Sequence, residues 1–204
     1  MKTYRKLHSA EKLALNNFIN NQIILFQWVD FENIGASPQN LAIAEQTFTK
    51  IFGNENIELK LDNYIETVKE IYKTVGIGKG TDEILTFLII LILKTVSRNI
   101  LLNYEEIIRF LIKKKSENCG NPEIEYYITL LGSAINFIKN LEYRNLNVKK
   151  EYFDAMIEKY SKQLDLETII YEKDDLSYVF FYEKLKEKTK KIYKKTKDKI
   201  KKHF

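Results

Sequence analysis

The stretch GIGKGTDEILTFLIILIL, residues 76–93, decides between two folds. Read as a phosphate-binding loop, its glycines around Lys79 need a strand before them and imply an α/β nucleotide-binding fold. Read as punctuation, Gly76 stops one helix, Thr81 caps the next, and Asp82 and Glu83 favour that helix's positive N-terminus. The spacing selects the second reading. A P-loop places four residues between its first glycine and a Gly-Lys-Ser/Thr triplet, whereas here Gly78 and Lys79 are followed by Gly80. The segment before it also has a helical period. The run ILTFLIILIL, residues 84–93, falls well short of the roughly 20 residues a membrane-spanning helix needs, so it reads as a helix buried in the core.

Helical patterns extend on both sides. In LDNYIETVKEIYKTVG, Leu61, Tyr64, Ile65, Val68, Ile71, Tyr72 and Val75 share one face, and Gly76 ends the helix. Upstream, Ser9 offers an N-cap to a first helix. Ser37 and Pro38 open PQNLAIAEQTFTKIF, whose Leu41, Ala44, Phe48, Ile51 and Phe52 line up, with Gly53 closing it in the left-handed conformation. Downstream, the apolar helix is expected to run to about Leu101. Asn103 then caps YEEIIRFLIKKK, with Glu106 in the capping-box position and Glu105 pairing with Arg109 one turn on.

SENCGNP is the clearest linker. Beyond it Asn121 and Pro122 start PEIEYYITLLGSAINFIKNL, with a stripe of Ile124, Tyr127, Ile128, Leu131, Ile135 and Ile138 and a small-residue patch at Gly132, Ser133 and Ala134 that allows close packing. Asn147 caps VKKEYFDAMIEKYSKQL, with Phe153, Met156, Ile157, Tyr160 and Leu164 inward. DLETIIYEKDD suits a short helix or a strand. A long final helix starts near Asp175. The fold class is therefore all-α: a bundle of about seven or eight helices with a long basic C-terminal helix. The body is expected to span residues 1–175, with a possible sub-boundary at 116–121, and the basic helix 176–204, anchored by residues 179–182.

The totals agree with this class. With 204 residues, 45% hydrophobic and 30% charged, the chain is an ordinary globular one, and seven glycines and two prolines leave little for hairpin turns. Cys119 is the lone cysteine, so no internal disulfide forms. The charged N-terminus lacks the apolar core of a secretory signal, and with no transmembrane segment the chain reads as cytoplasmic.

Chemistry is sparse. His8 and His203 sit near opposite ends in polar surroundings. No zinc-binding histidine pair, di-iron motif, serine elbow or calcium loop is present. Cys119 has no activating base beside it. The carboxylate pairs Glu105 with Glu106 and Asp174 with Asp175 read as cap and first-turn residues. No catalytic residue, metal site or cofactor is expected, and the reading is of a protein that is not an enzyme.

Charge is what remains. Lys184, Lys186, Lys188, Lys190, Lys191, Lys194, Lys195, Lys197, Lys199, Lys201 and Lys202 face only Glu187 and Asp198 in the same segment, a local +9 within a chain of net +5. The rest of the chain is correspondingly acidic, at −4. A lysine rod attracts polyanions and contacts phosphate backbone without the bidentate fork that reads bases. The expected function is thus non-enzymatic, sequence-independent contact with nucleic acid as a subunit of a larger complex. Lys94, Arg98, Lys113, Lys114 and Lys115 form a secondary basic patch, with Arg98 in reach of Glu105 or Glu106. The main alternative is a protein–protein adaptor or scaffold whose lysine-rich helix is solvated or docks on an acidic partner. Minor alternatives are a helix-turn-helix factor, which the acidic turn at Asp174 and Asp175 opposes, and attachment to an anionic membrane, for which the apolar face is thin.

Overall fold

The computed structural model describes residues 9–76, 80–95, 99–116 and 121–171, with side chains over 12–76, 80–95, 99–113 and 121–164. Among the described residues the chain forms seven α-helices and two short 3-10 turns and no strand, as the sequence leads one to expect. The helices are α1 (Ser9–Phe26), α2 (Ala42–Thr49), α3 (Ile57–Val75), α4 (Thr81–Lys94), α5 (Ile100–Ser116), α6 (Pro122–Lys139) and α7 (Lys150–Tyr171). The 3-10 turns are Phe31–Ile34 and Tyr143–Asn145. The chain divides into two units, Met1–Ser161 and Lys162–Phe204. In the second, the described residues are the last ten of α7.

The apolar run occupies the centre of the first unit. Ile84 and Phe87 through Leu93 are all buried, and α4 packs against α6, α3, α1 and the first 3-10 turn. A helix greasy on most sides has no solvent face to keep polar, so neighbours surround it. Burying such side chains contributes about 1.5–3 kcal/mol each. α2 lies along α3 and inserts Ala44 and Phe48, with Ile51 just beyond its end, each at most 1% exposed. The start of α7 adds Phe153, Met156, Ile157 and Tyr160 to the margin of the same core.

Several boundaries differ from the sequence reading. α2 starts at Ala42 rather than after Ser37: Leu41 is the N-cap and makes no side-chain capping bond, while Asn40 Oδ1 accepts from Ala42 N at 3.0 Å in the turn that leads into the helix. The left-handed glycines are Gly35 (φ 75°) and Gly76 (φ 97°), not Gly53. The cap before α4 is Gly80: Glu83 reaches back to its N–H at 3.2 Å, so Thr81 is the first helical residue. α4 ends at Lys94 instead of continuing to Leu101. Asn99, at φ 62°, turns the chain and α5 begins at Ile100. Asn103 consequently lies inside α5, buried at 8% exposure, rather than capping it. α7 begins at Lys150, after Asn147, whose N–H donates to Asn33 O at 2.7 Å. The segment that suited either a short helix or a strand is helical as far as Tyr171. Other expectations hold as read: Gly76 ends α3, and Asn121 caps α6 with Pro122 in its first turn.

Candidate functional site

The two ends of α4 are built differently, and the difference locates the site. At the C-terminal end four asparagines interlock. Asn16 Nδ2 donates to Asn99 Oδ1 at 2.8 Å, Asn99 N–H donates to Asn20 Oδ1 at 2.9 Å, and Asn103 Nδ2 donates to Asn99 O at 3.0 Å. Lys94, in the last turn, faces Asp30 at 3.4 Å. Nearby, Glu105 accepts from Lys12 at 2.8 Å and Arg109 at 2.9 Å, and Glu106 pairs with Lys60 at 2.7 Å. Burial alone pushes the Glu105 carboxyl up, but the hydrogen bonds from Lys12 and Arg109 outweigh it and hold the group below the usual carboxylate range. Most polar groups here pair with one another, the exception being Asn16 Oδ1, which is buried and meets no hydrogen-bond donor among the described residues.

The N-terminal end carries hydroxyls and carboxylates toward the surface. Tyr72, in the last turn of α3, has its hydroxyl 3.0 Å from that of Tyr126 on α6, which lies 3.1 Å from Thr81 Oγ1 at the start of α4. The neighbouring Tyr127 turns inward: its hydroxyl donates to Glu123 at 2.7 Å, and its backbone carbonyl accepts from the buried Tyr64 hydroxyl at 2.6 Å. The ring centroids of Tyr126 and Tyr127 are 5.7 Å apart, and those of Tyr72 and Tyr127 6.5 Å. Burial, reinforced by the bond to Tyr126, pushes the Tyr72 phenol up to about 12. Burial and the Glu123 carboxylate do the same for Tyr127, again to about 12. Asp82 projects from the first turn of α4, exposed, and its carboxylate meets no partner among the described residues. An exposed acid beside a fixed hydroxyl cluster is suited to contact a polar surface on another macromolecule.

The residues expected to form a site from sequence lie elsewhere. Lys184, Lys186, Lys188, Lys190, Lys191, Lys194, Lys195, Lys197, Lys199, Lys201 and Lys202 are outside the described residues, as is Arg98. So are the P-loop-like residues 77–79, though what precedes them is helix α3 and not a strand. Lys94 is engaged with Asp30. Lys113 is exposed on α5, and Lys114 and Lys115 lie in the last turn of that helix. The structure brings none of the described lysines of this patch to the corner of Tyr72, Thr81, Asp82 and Tyr126. That corner was visible in sequence only as separate facts: Asp82 as a helix-dipole partner, Tyr72 and Tyr127 as core-facing stripes. The adjacent pair Tyr126–Tyr127 carried a usable signal, since consecutive helical positions are about 100° apart and cannot both face the core.

Comparison with known proteins bears on the same corner. The model of the family described as "Vacuolar sorting protein 9 (VPS9) domain" matches residues 41–143, a span running from α2 through α6. The Schizosaccharomyces pombe protein "Vacuolar protein sorting-associated protein vps901" is 24% identical over 167 residues, covering 76% of this chain. The chain spans 28% of that relative's length. These matches overturn the expectation of a nucleic-acid-binding protein. The matched span contains the Tyr72–Asp82–Tyr126 corner and ends before the eleven lysines on which that expectation stood. They favour instead the alternative drawn from the same sequence, a chain whose partner is a protein. Among the described residues no helix is long and apolar enough to cross a membrane.

Proposed function

Because the chain belongs to the VPS9 domain family, we propose that it is a guanine nucleotide exchange factor for a Rab GTPase of vesicle trafficking. Exchange is catalysis without bond making: the factor stabilises the GTPase in a form that has released its nucleotide. A search for nucleophiles, metal ligands and positioned histidines does not detect such an activity, and the expectation of a protein that is not an enzyme gives way to this reading.

The observation that carries the reading is the family match over the helices that build the α3–α4–α6 corner, with an exposed carboxylate, Asp82, at its edge. A small GTPase grips its nucleotide through a loop whose backbone and lysine cradle the phosphates and through a bound Mg2+. Negative charge brought to that loop competes with phosphate for the lysine and weakens the hold on nucleotide and metal. Asp82 supplies that charge. It stands on the end of a helix whose body is locked in the core, so little ordering accompanies its use. Tyr126 and Thr81 supply hydroxyls that donate or accept beside it.

The test is release of a fluorescent GDP analogue from a panel of purified Rab GTPases. The full chain is expected to accelerate release from at least one. Asp82→Ala should lower kcat/KM about 100-fold, the size typical for removing one group aimed at a developing charge imbalance, while lowering Tm only by the few degrees that loss of one first-turn acid costs. Acceleration that survives Asp82→Ala undiminished removes Asp82 from the site; no acceleration of any Rab removes the function.

A further inference from the structure

Tyr72 is half-buried, and its ring packs on the core edge. A phenylalanine would fill that space equally well, so the hydroxyl has some other use. It lies 3.0 Å from the Tyr126 hydroxyl, which is 3.1 Å from Thr81 Oγ1. Each hydroxyl has one proton to give and lone pairs to receive. Tyr126, in the middle, is able to give its proton to one neighbour while accepting from the other. The three belong to three helices: the end of α3, the start of α4 and the first turns of α6. The chain of hydroxyls therefore joins the last turn of α3 to the first turn of α4, which carries Asp82.

We propose that Tyr72 is a positioning residue of the exchange site, its hydroxyl holding that of Tyr126 against Thr81 and so fixing the first turn of α4 from which Asp82 projects. This rests on the exchange reading above. Tyr72 itself touches no GTPase group in this account; it acts through Tyr126. Supporting groups of this kind matter because a site held loosely loses rate even when every contacting residue is present. Hydrogen bonds at a half-buried place are also stronger than in water, which favours a defined arrangement over an averaged one. With its phenol pushed up to about 12 by burial and by Tyr126, Tyr72 stays protonated through the neutral range and the chain stays intact.

The experiment compares the full-length wild type with Tyr72→Phe, Tyr126→Phe and the double variant, reading release of a fluorescent GDP analogue from Rab GTPases. Tm and the Thr81 methyl and Tyr126 Cζ resonances of the free protein are measured alongside. Tyr72→Phe should lower kcat/KM about fivefold, as expected for loss of one neutral hydrogen bond. It should move Tm by less than about 2 °C and shift both resonances. The double variant should be no slower than Tyr126→Phe alone, since both act on one chain of hydroxyls. An unchanged rate for Tyr72→Phe beside a slowed Tyr126→Phe overturns the proposal and leaves the exchange reading standing. Additive losses, unmoved resonances, or a rate loss that merely tracks a fall in Tm overturn it as well. If the wild type releases nucleotide from no Rab, the exchange reading fails first and takes this role with it, while the resonances still report whether the hydroxyl chain exists.

Discussion

The closed end of α4 and its open end are made from the same kinds of side chain put to opposite uses. At the closed end Asn16, Asn20, Asn99 and Asn103 spend their amides on one another and on backbone, and Lys94 meets Asp30. At the open end Tyr72, Tyr126 and Thr81 bond in a line that reaches the surface, and Asp82 stands beyond it without a partner among the described residues. A helix buried from Phe87 to Leu93 cannot itself bind anything. Its value to a site is rigidity, and the contrast shows which end is braced and which is presented.

The comparison breaks most cleanly with one substitution at each end. Asp82→Ala is expected to cut exchange about 100-fold with a fall in Tm of only a few degrees, from the lost first-turn charge. Asn99→Ala should do the reverse: left-handed backbone disfavours alanine, and the buried Asn16 amide loses the Oδ1 it donates to, for a loss of about 2–3 kcal/mol. Chemical denaturation reads that loss, and exchange per folded molecule should persist. Asn99→Gly keeps the backbone comfortable while deleting the side chain, so it should cost less than the alanine variant. If Asn99→Ala abolishes exchange in molecules that remain folded, the two ends are not separable and the assignment of roles is wrong.

A smaller effect sharpens the closed side. Tyr104, one turn into α5, packs over Gly132 of α6: a Cβ built on Gly132 would come within 2.5 Å of the Tyr104 hydroxyl. Gly132→Ala must therefore displace the Tyr104 ring. The near atoms belong to the far end of a side chain, so the cost should be about 1 kcal/mol, at the low end for overpacking, read as a lower denaturation midpoint with unchanged slope.

Much of this was legible in the chain. Regular periods marked α3 and α6, and Gly76 and Pro122 marked where they end and begin, because a helix that must bury one stripe shows it in sequence. The corner at Asn99 was not legible. No glycine or proline announces it, and an asparagine enters left-handed backbone there beside partners on α1 supplied from 79 and 83 positions away. Glu106 illustrates the same limit: its place in a capping box was plausible locally, but α5 starts earlier and the carboxylate goes to Lys60 on α3. The candidate site is wholly of this kind. Tyr72, Thr81 and Tyr126 lie on three helices, and no spacing rule relates them. The lysine-rich segment, by contrast, was the loudest feature in the sequence, and charge concentrated along the chain says only what sign of partner it attracts.

The smallest expected effects distinguish the two ends by the direction in which they titrate. At the open end Tyr72 and Tyr127 have phenols raised to about 12, above the value of about 10 in an unfolded chain. The folded state then holds protons that the unfolded state has released, so stability contributed by these groups is complete below about pH 10 and is lost as pH rises toward 12. With screening by solvent this amounts to about 1 kcal/mol per phenol, and Tyr72→Phe should flatten that part of the curve. On the closed side Glu105 is held below its ordinary range, with Lys12 and Arg109 overcoming the effect of burial. Its contribution is present at neutral pH and disappears as pH falls through the acid range, by less than about 1 kcal/mol for a pair this near the surface. Glu105→Gln should remove that acid-side slope and leave the alkaline side unchanged. A variant at one end that alters the slope on the other side would mean that the two ends titrate as one network, which the intervening eight apolar side chains of α4 are arranged to prevent.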